Sequence, residues 1–160
     1  MLGVSLLFVG IVLINNGVCG VLKISGKAAA VMNIFVGGIT AVINVIHLIN
    51  GDFYAAGTGL LFTFTYLFAA FNSLYSLDSR PYGIFSLFVA INTLPAAWIA
   101  WQSGDLRMCA IWLAWGVLWF TGFLEGALKK NLGKSSSLLA IAEGVVTAWI
   151  PGFMMLAGVW

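Results

Sequence analysis

Six apolar stretches, each of about 20 residues or more, fill nearly all of this chain, and its few charges lie almost entirely in the gaps between them. The stretches cover residues 2–22, 28–49, 54–77, 81–101, 106–128 and 136–159. About 20 apolar residues is the length an α-helix needs to cross a hydrocarbon core of ~30 Å. The chain therefore reads as an all-α membrane protein, one six-helix transmembrane domain over residues 1–160.

Composition points the same way. The chain is 62% hydrophobic and 8% charged, against about 25% charged residues in an average soluble domain. A net charge of +2 with no basic cluster gives no reason to expect a nucleic-acid partner. No basic segment precedes the first apolar run, so a cleavable leader is not expected. Cys19 and Cys109 fall at opposite ends of their spans, too far apart for a disulfide, and read as reduced packing residues.

The gaps set an orientation. The first, third and fifth carry Lys23, Lys27, Arg80, Lys129, Lys130 and Lys134, whereas the second and fourth carry only Arg107, beside Asp52 and Asp105. Short loops rich in Lys and Arg stay on the cytoplasmic side, so both termini are expected outside. Trp98, Trp101, Trp160 and Tyr54 then fall at outer ends and Tyr75 and Tyr82 at inner ends, as interfacial belts do. Short connections make successive helices antiparallel neighbours, giving three helical hairpins. Repeated Asn, Thr and Pro positions along the chain make a three-fold hairpin repeat possible.

Few ionisable groups lie within the spans. Glu143 is about eight residues into span six, roughly 12 Å along the axis, with no Lys or Arg one turn away. A carboxylate there costs about 2.5–3.5 kcal/mol on insertion scales and normally faces a cavity or a partner. Glu125 precedes Lys129 by four residues, the favourable order for a helical ion pair, so it reads equally as a surface-paired residue or a functional one. His47, the only histidine, ends span two without the companions a metal site needs and reads as an interfacial residue. Neither a metal nor a cofactor is expected. The chain has no HExxH and no GxSxG, so no catalytic set is expected and the protein is not read as an enzyme.

At 100° per residue, three stripes stand out. Leu2, Leu6, Val9, Leu13 and Asn16 share one face of span one, and Met108, Trp112, Trp115, Trp119 and Gly122 share one face of span five. Phe62 and Tyr66 stack one turn apart in span three, with Thr65 beside them. On periodicity alone such stripes most often serve core or subunit packing. The tryptophans of span five, however, lie too deep for an interfacial belt, and a slot walled by indole rings suits a small, flat, neutral solute.

Several segments resemble the AmiS/UreI family. They are Met1-Leu2-Gly3 through Gly20, Ala30-Val31-Met32-Asn33 to Gly37-Gly38, Leu60 to Leu67, Ser86 to Thr93, Pro95-Ala96-Ala97, Ile111-Trp112-Leu113-Ala114-Trp115-Gly116-Val117-Leu118-Trp119, and Leu139 through Pro151. Together they touch all six spans, the tryptophan-rich one most specifically. The resemblance implies a six-helix protomer in a homohexameric ring, each subunit with its own pore. It also implies passive conduction of urea or short aliphatic amides across the bacterial cytoplasmic membrane, with a cytosolic urease or amidase consuming the permeant. The family's pore-lining positions match Leu2, Leu6, Val9, Leu13, Phe62, Tyr66, Trp112, Trp115, Trp119 and Glu143.

Acid-gated members carry long outer loops rich in His and acidic residues. Here the outer loops are 50–53 and 102–106 and hold no histidine, so no acid gate is expected. Met108 stands where some relatives place another tryptophan. The rival reading is a proton-coupled small-solute transporter using Glu143 or Glu125; the lack of obvious broken helices in matched halves counts against it.

Overall fold

The computed structural model describes residues 1–160 as six helices: α1 Leu2–Leu22, α2 Gly26–Ile49, α3 Phe53–Tyr75, α4 Arg80–Gln102, α5 Leu106–Gly126 and α6 Ser135–Leu156. Each is long and apolar enough to cross a membrane. The helices alternate in direction. Both termini, His47, Asp52 and Asp105 therefore lie at one end of the bundle, the terminal end. Lys23, Lys27, Arg80, Lys129, Lys130 and Lys134 lie at or near the other, the basic end.

Local chemistry fixes the helix boundaries. The carboxylates of Asp52 and Asp105 accept from the backbone N–H of Ala55 and Met108 at 3.2 and 2.9 Å, satisfying donors that a helix start leaves free. Gly51 and Gly104, with φ of 77° and 79°, make the left-handed turn just before those caps. At the basic end Asp78 lies between Arg80 and Lys129, and the Arg80 guanidinium holds its carboxyl below the usual carboxylate range.

These features repeat. Left-handed residues recur at Lys23, Ser76 and Lys129, and the left-handed glycines Gly51, Gly104 and Gly158 are spaced almost identically. Asp52 and Asp105 stand at the same interval. Thr40, Thr93 and Thr147 each donate a hydroxyl proton to a carbonyl three or four residues back in α2, α4 and α6. The chain is one hairpin pattern written three times.

The closest packing joins α2 to α3, α4 to α5, and α6 back to α1, so the chain's two ends close the ring. The contacts of α1 with α2, α3 with α4 and α5 with α6 are looser. Close approach in lipid needs small residues, because apolar surface alone gives helices no reason to leave the hydrocarbon. A Cβ on Gly10 would lie 2.7 Å from the Trp149 backbone nitrogen, and one on Gly152 would lie 2.6 Å from the nitrogen of Leu7. Gly83 and Gly126 press together between α4 and α5. Large apolar side chains such as Phe35, Ile84 and Phe88 point outward instead.

Two expectations are corrected. Span six is not a uniform α-helix, since Gly144–Trp149 is π-helical between α-helical Ser135–Glu143 and Ile150–Leu156. Glu125 does not pair with Lys129. The helix ends at Gly126 and Lys129 turns left-handed at φ 55°, which takes it out of the i,i+4 register. Glu125 accepts from the Ser136 hydroxyl at 3.0 Å instead, and Lys129 donates to Ser79. Both cysteines are free, as expected.

Gly10→Ala should destabilise the purified protein by about 1–3 kcal/mol through overpacking. Gly38→Ala, where nothing lies within 4 Å of the added carbon, should leave thermal unfolding in detergent unchanged. Equal stability of the two variants would contradict this packing.

Candidate functional site: an aromatic waist between two cavities

The odd-numbered helices supply the walls of the bundle's interior in five layers. From the terminal end these are Leu2, Ala55 and Met108; Leu6, Gly59 and Trp112; Val9, Phe62 and Trp115; Leu13, Tyr66 and Trp119; and Asn16, Ala69 and Gly122. Each layer takes one residue from α1, one from α3 and one from α5, at matched positions of the repeat. Alternating steps of four and three residues keep each set on one helix face.

The layers enclose two cavities. The one at the terminal end is about 540 Å³, and its mouth carries His47, Asp52 and Asp105. The one at the basic end is about 410 Å³ and is lined by Asn16, Asn33, Tyr82, Glu125 and Ser136 among others. Phe62 and Trp115 line both. They form the waist between the cavities.

Aromatic contacts shape this waist. The Phe62 ring lies 4.8 Å from both Trp115 and Trp119, edge-on to each, and 6.0 Å from Trp112. Trp112 and Trp115 meet at 5.1 Å and 86°. Edge-to-face contact is the arrangement that ring quadrupoles favour. The indole N–H of Trp115 donates to Thr147 Oγ1 at 2.9 Å, and that of Trp119 donates to Thr65 Oγ1 at 3.1 Å. Around the rings lie Leu6, Val9 and Leu13, all at least nine-tenths buried.

Polar side chains flank the waist on both sides. Asn44 donates to Thr63, which donates to Thr40, a buried chain tying α2 to α3. Toward the basic end Asn16 and Asn33 exchange amide hydrogen bonds of 3.0 and 2.7 Å across α1 and α2. At the terminal mouth His47 Nδ1 lies 3.0 Å from Asp52 Oδ2, so the histidine is satisfied locally.

Leu2, Leu6, Val9, Trp112 and the waist pair line the terminal cavity, while Leu13, Tyr66, Trp119 and the waist pair line the basic one. Glu143 lines neither. It is 5% exposed, its Oε2 has no hydrogen-bond partner, and it precedes Gly144, which packs on Gly10 and Leu13. Four residues before the matched threonines stand Val36, Val89 and Glu143, all buried. The carboxylate thus occupies a position that the other two repeats fill with valine.

Tyr82 and Ser136 at the basic cavity escaped the reading by spacing. Both sit near helix starts, where periodicity says little about facing. No group of three or more His, Cys, Asp or Glu side chains is placed to hold a metal.

The AmiS/UreI family transporter profile matches residues 1–159. The chain belongs to the AmiS/UreI family. An acid-activated urea channel of Helicobacter pylori is 46% identical over all of both chains. That alignment spans 194 positions, so the relative carries residues that this 160-residue chain lacks. A Mycolicibacterium smegmatis protein named for transport of amidate substrates is 41% identical over 99% of this chain and 78% of its own length. The crystal structure of the H. pylori urea channel superposes with a TM-score of 0.94 at 49% identity, covering 100% of this chain and 99% of that one. A cryo-electron microscopy structure of that channel in a closed state gives 0.91, at 49% identity and full coverage of both. The family consists of membrane transporters and channels, and the six-helix fold is that of a urea channel.

Phe62→Ala should join the two cavities, because it removes the ring common to both walls. Proteoliposomes carrying the variant should then swell in glycerol faster than those carrying wild type. An unchanged glycerol barrier would place the constriction elsewhere.

Proposed function

We propose that this protein is a passive channel for urea and short aliphatic amides in the bacterial cytoplasmic membrane, working as a homohexamer with one passage per subunit. The observation that carries this reading is the waist at Phe62 and Trp115, where two cavities from opposite ends of the bundle share a wall of two rings in edge-to-face contact. A flat, neutral molecule passes such rings with a small displacement of them, whereas a hydrated ion would lose its water without recompense. Leu2, Leu6, Val9 and Leu13 form the apolar wall, and Phe62, Tyr66, Trp112, Trp115 and Trp119 form the slot. Glu143 accepts N–H groups of the permeant once the neighbouring wall gives way to it, and its lone buried oxygen supports that role. The basic residues of the connecting loops support an orientation with both termini outside. The permeant moves down its gradient toward a cytosolic urease or amidase.

The channel is open at neutral pH. Its terminal-end loops are short and free of histidine, and His47 is already engaged by Asp52. Stopped-flow light scattering on proteoliposomes should give similar urea permeabilities at pH 7.5 and pH 5. Loss of permeation at pH 7.5 would contradict the ungated reading.

The partnerless oxygen of Glu143 also favours a second reading, a proton-coupled transporter in which Glu143 or Glu125 carries the proton. Uptake should equilibrate with the outside concentration and be insensitive to a protonophore. Accumulation above that concentration, collapsed by a protonophore, would establish the second reading instead.

A further inference from the structure

Two threonines hold the indole rings at the waist, and they do so by the same device. Thr147 Oγ1 donates its proton to the Glu143 carbonyl at 2.6 Å and accepts the Trp115 indole N–H at 2.9 Å. Thr65 Oγ1 donates to the Leu61 carbonyl at 2.7 Å and accepts the Trp119 indole N–H at 3.1 Å. A hydroxyl has one proton. With that proton committed to the carbonyl one turn back, the rotor is fixed and a lone pair faces the indole. Trp115 is thereby tied to α6 and Trp119 to α3, both in contact with Phe62, with ring centroids 6.5 Å apart.

Thr147 differs from its counterparts in the repeat in what its hydroxyl accepts. Its counterpart Thr40 accepts a hydroxyl from Thr63 on the paired helix, and Thr93 packs against Gly116 of its own. The residue of α1 matched to Thr63 and Gly116 is Gly10, which has no hydroxyl to offer. Thr147 also lies within the π-helical segment of α6, a local departure that often accompanies function.

An indole is a donor only. Once both N–H groups are occupied, Trp115 and Trp119 offer no unmatched donor to a passing carbonyl. We propose that Thr147, and with it Thr65, is a positioning residue that locks the indoles edge-on to Phe62 and keeps their N–H groups out of the passage, so that a urea-like solute crosses without being held. This rests on the channel reading above. Thr65 also lines the basic cavity and could touch permeant directly. Thr147 lines neither cavity and isolates the positioning effect.

The test uses the full chain in proteoliposomes, comparing wild type with Thr147→Val, Thr147→Ser and Thr147→Ala; the alanine variant cannot overpack the site. Proton–nitrogen correlation spectra resolve the indole N–H groups, with the Trp115 signal assigned from Trp115→Phe. Thr147→Val and Thr147→Ala should shift that signal and lower urea permeability on the order of tenfold. Thr147→Ser should keep the signal and stay within about twofold of wild type. Wild-type permeability in both hydroxyl-free variants overturns the proposal, as does a serine variant impaired as severely as the alanine one. A wild-type protein that passes no urea fails the channel reading itself. In that case the indole signal still reports whether Thr147 anchors Trp115.

Discussion

Close backbone contact between paired helices is the constraint on which the rest of this molecule depends. In hydrocarbon, apolar side chains gain little by facing one another, so helices associate where their surfaces let backbones approach. Gly10 against Trp149, Gly152 against Leu7 and Gly83 against Gly126 supply such surfaces. Seams of small residues draw α2 onto α3, α4 onto α5 and α6 onto α1. The bulky faces of α1, α3 and α5 are left to meet in the interior, where they bound two cavities rather than a solid core.

The three-fold repeat gives the interior its layers, and departures from the repeat give it chemistry. In the middle layers the side chains grow from Val9 and Leu13, through Phe62 and Tyr66, to Trp115 and Trp119. Three equal residues would make a round hole. Graded ones make a waist in which aromatic rings meet edge to face. The same logic applies to Glu143, which replaces a valine of the other repeats. It applies to Thr147 as well, the one threonine of the three whose hydroxyl accepts an indole N–H. The aromatic and polar side chains of the interior have collected where the copies differ.

Much of this was legible in the residues. Length and apolarity fixed the six spans to within a few positions, and the matched stripes of α1 and α5, with the same alternating steps of four and three, marked the walls. The tryptophans in the middle of α5, too deep for a belt, pointed inward to the cavities they line. Other features depend on tertiary contact and could not be read from spacing. Helix pairing follows from where glycines meet across the bundle. The π-helical turn in α6 has no counterpart in the hydrophobic pattern. The separation of Glu125 from Lys129 needed the helix to stop at Gly126, and the anchoring threonines needed their indole partners to be in place.

The central claim is that solute crosses each subunit between Phe62 and Trp115. The most direct measurement is urea flux through a Trp115→Cys protein, with Cys19 and Cys109 replaced by serine, before and after reaction with a small charged thiol reagent. A Val117→Cys protein, altered on the exposed face of the same helix, serves as control. The account predicts that labelling at 115 stops the flux, that reduction restores it, and that labelling at 117 changes nothing. Undiminished flux through a fully labelled Cys at 115 would show that the solute takes another route.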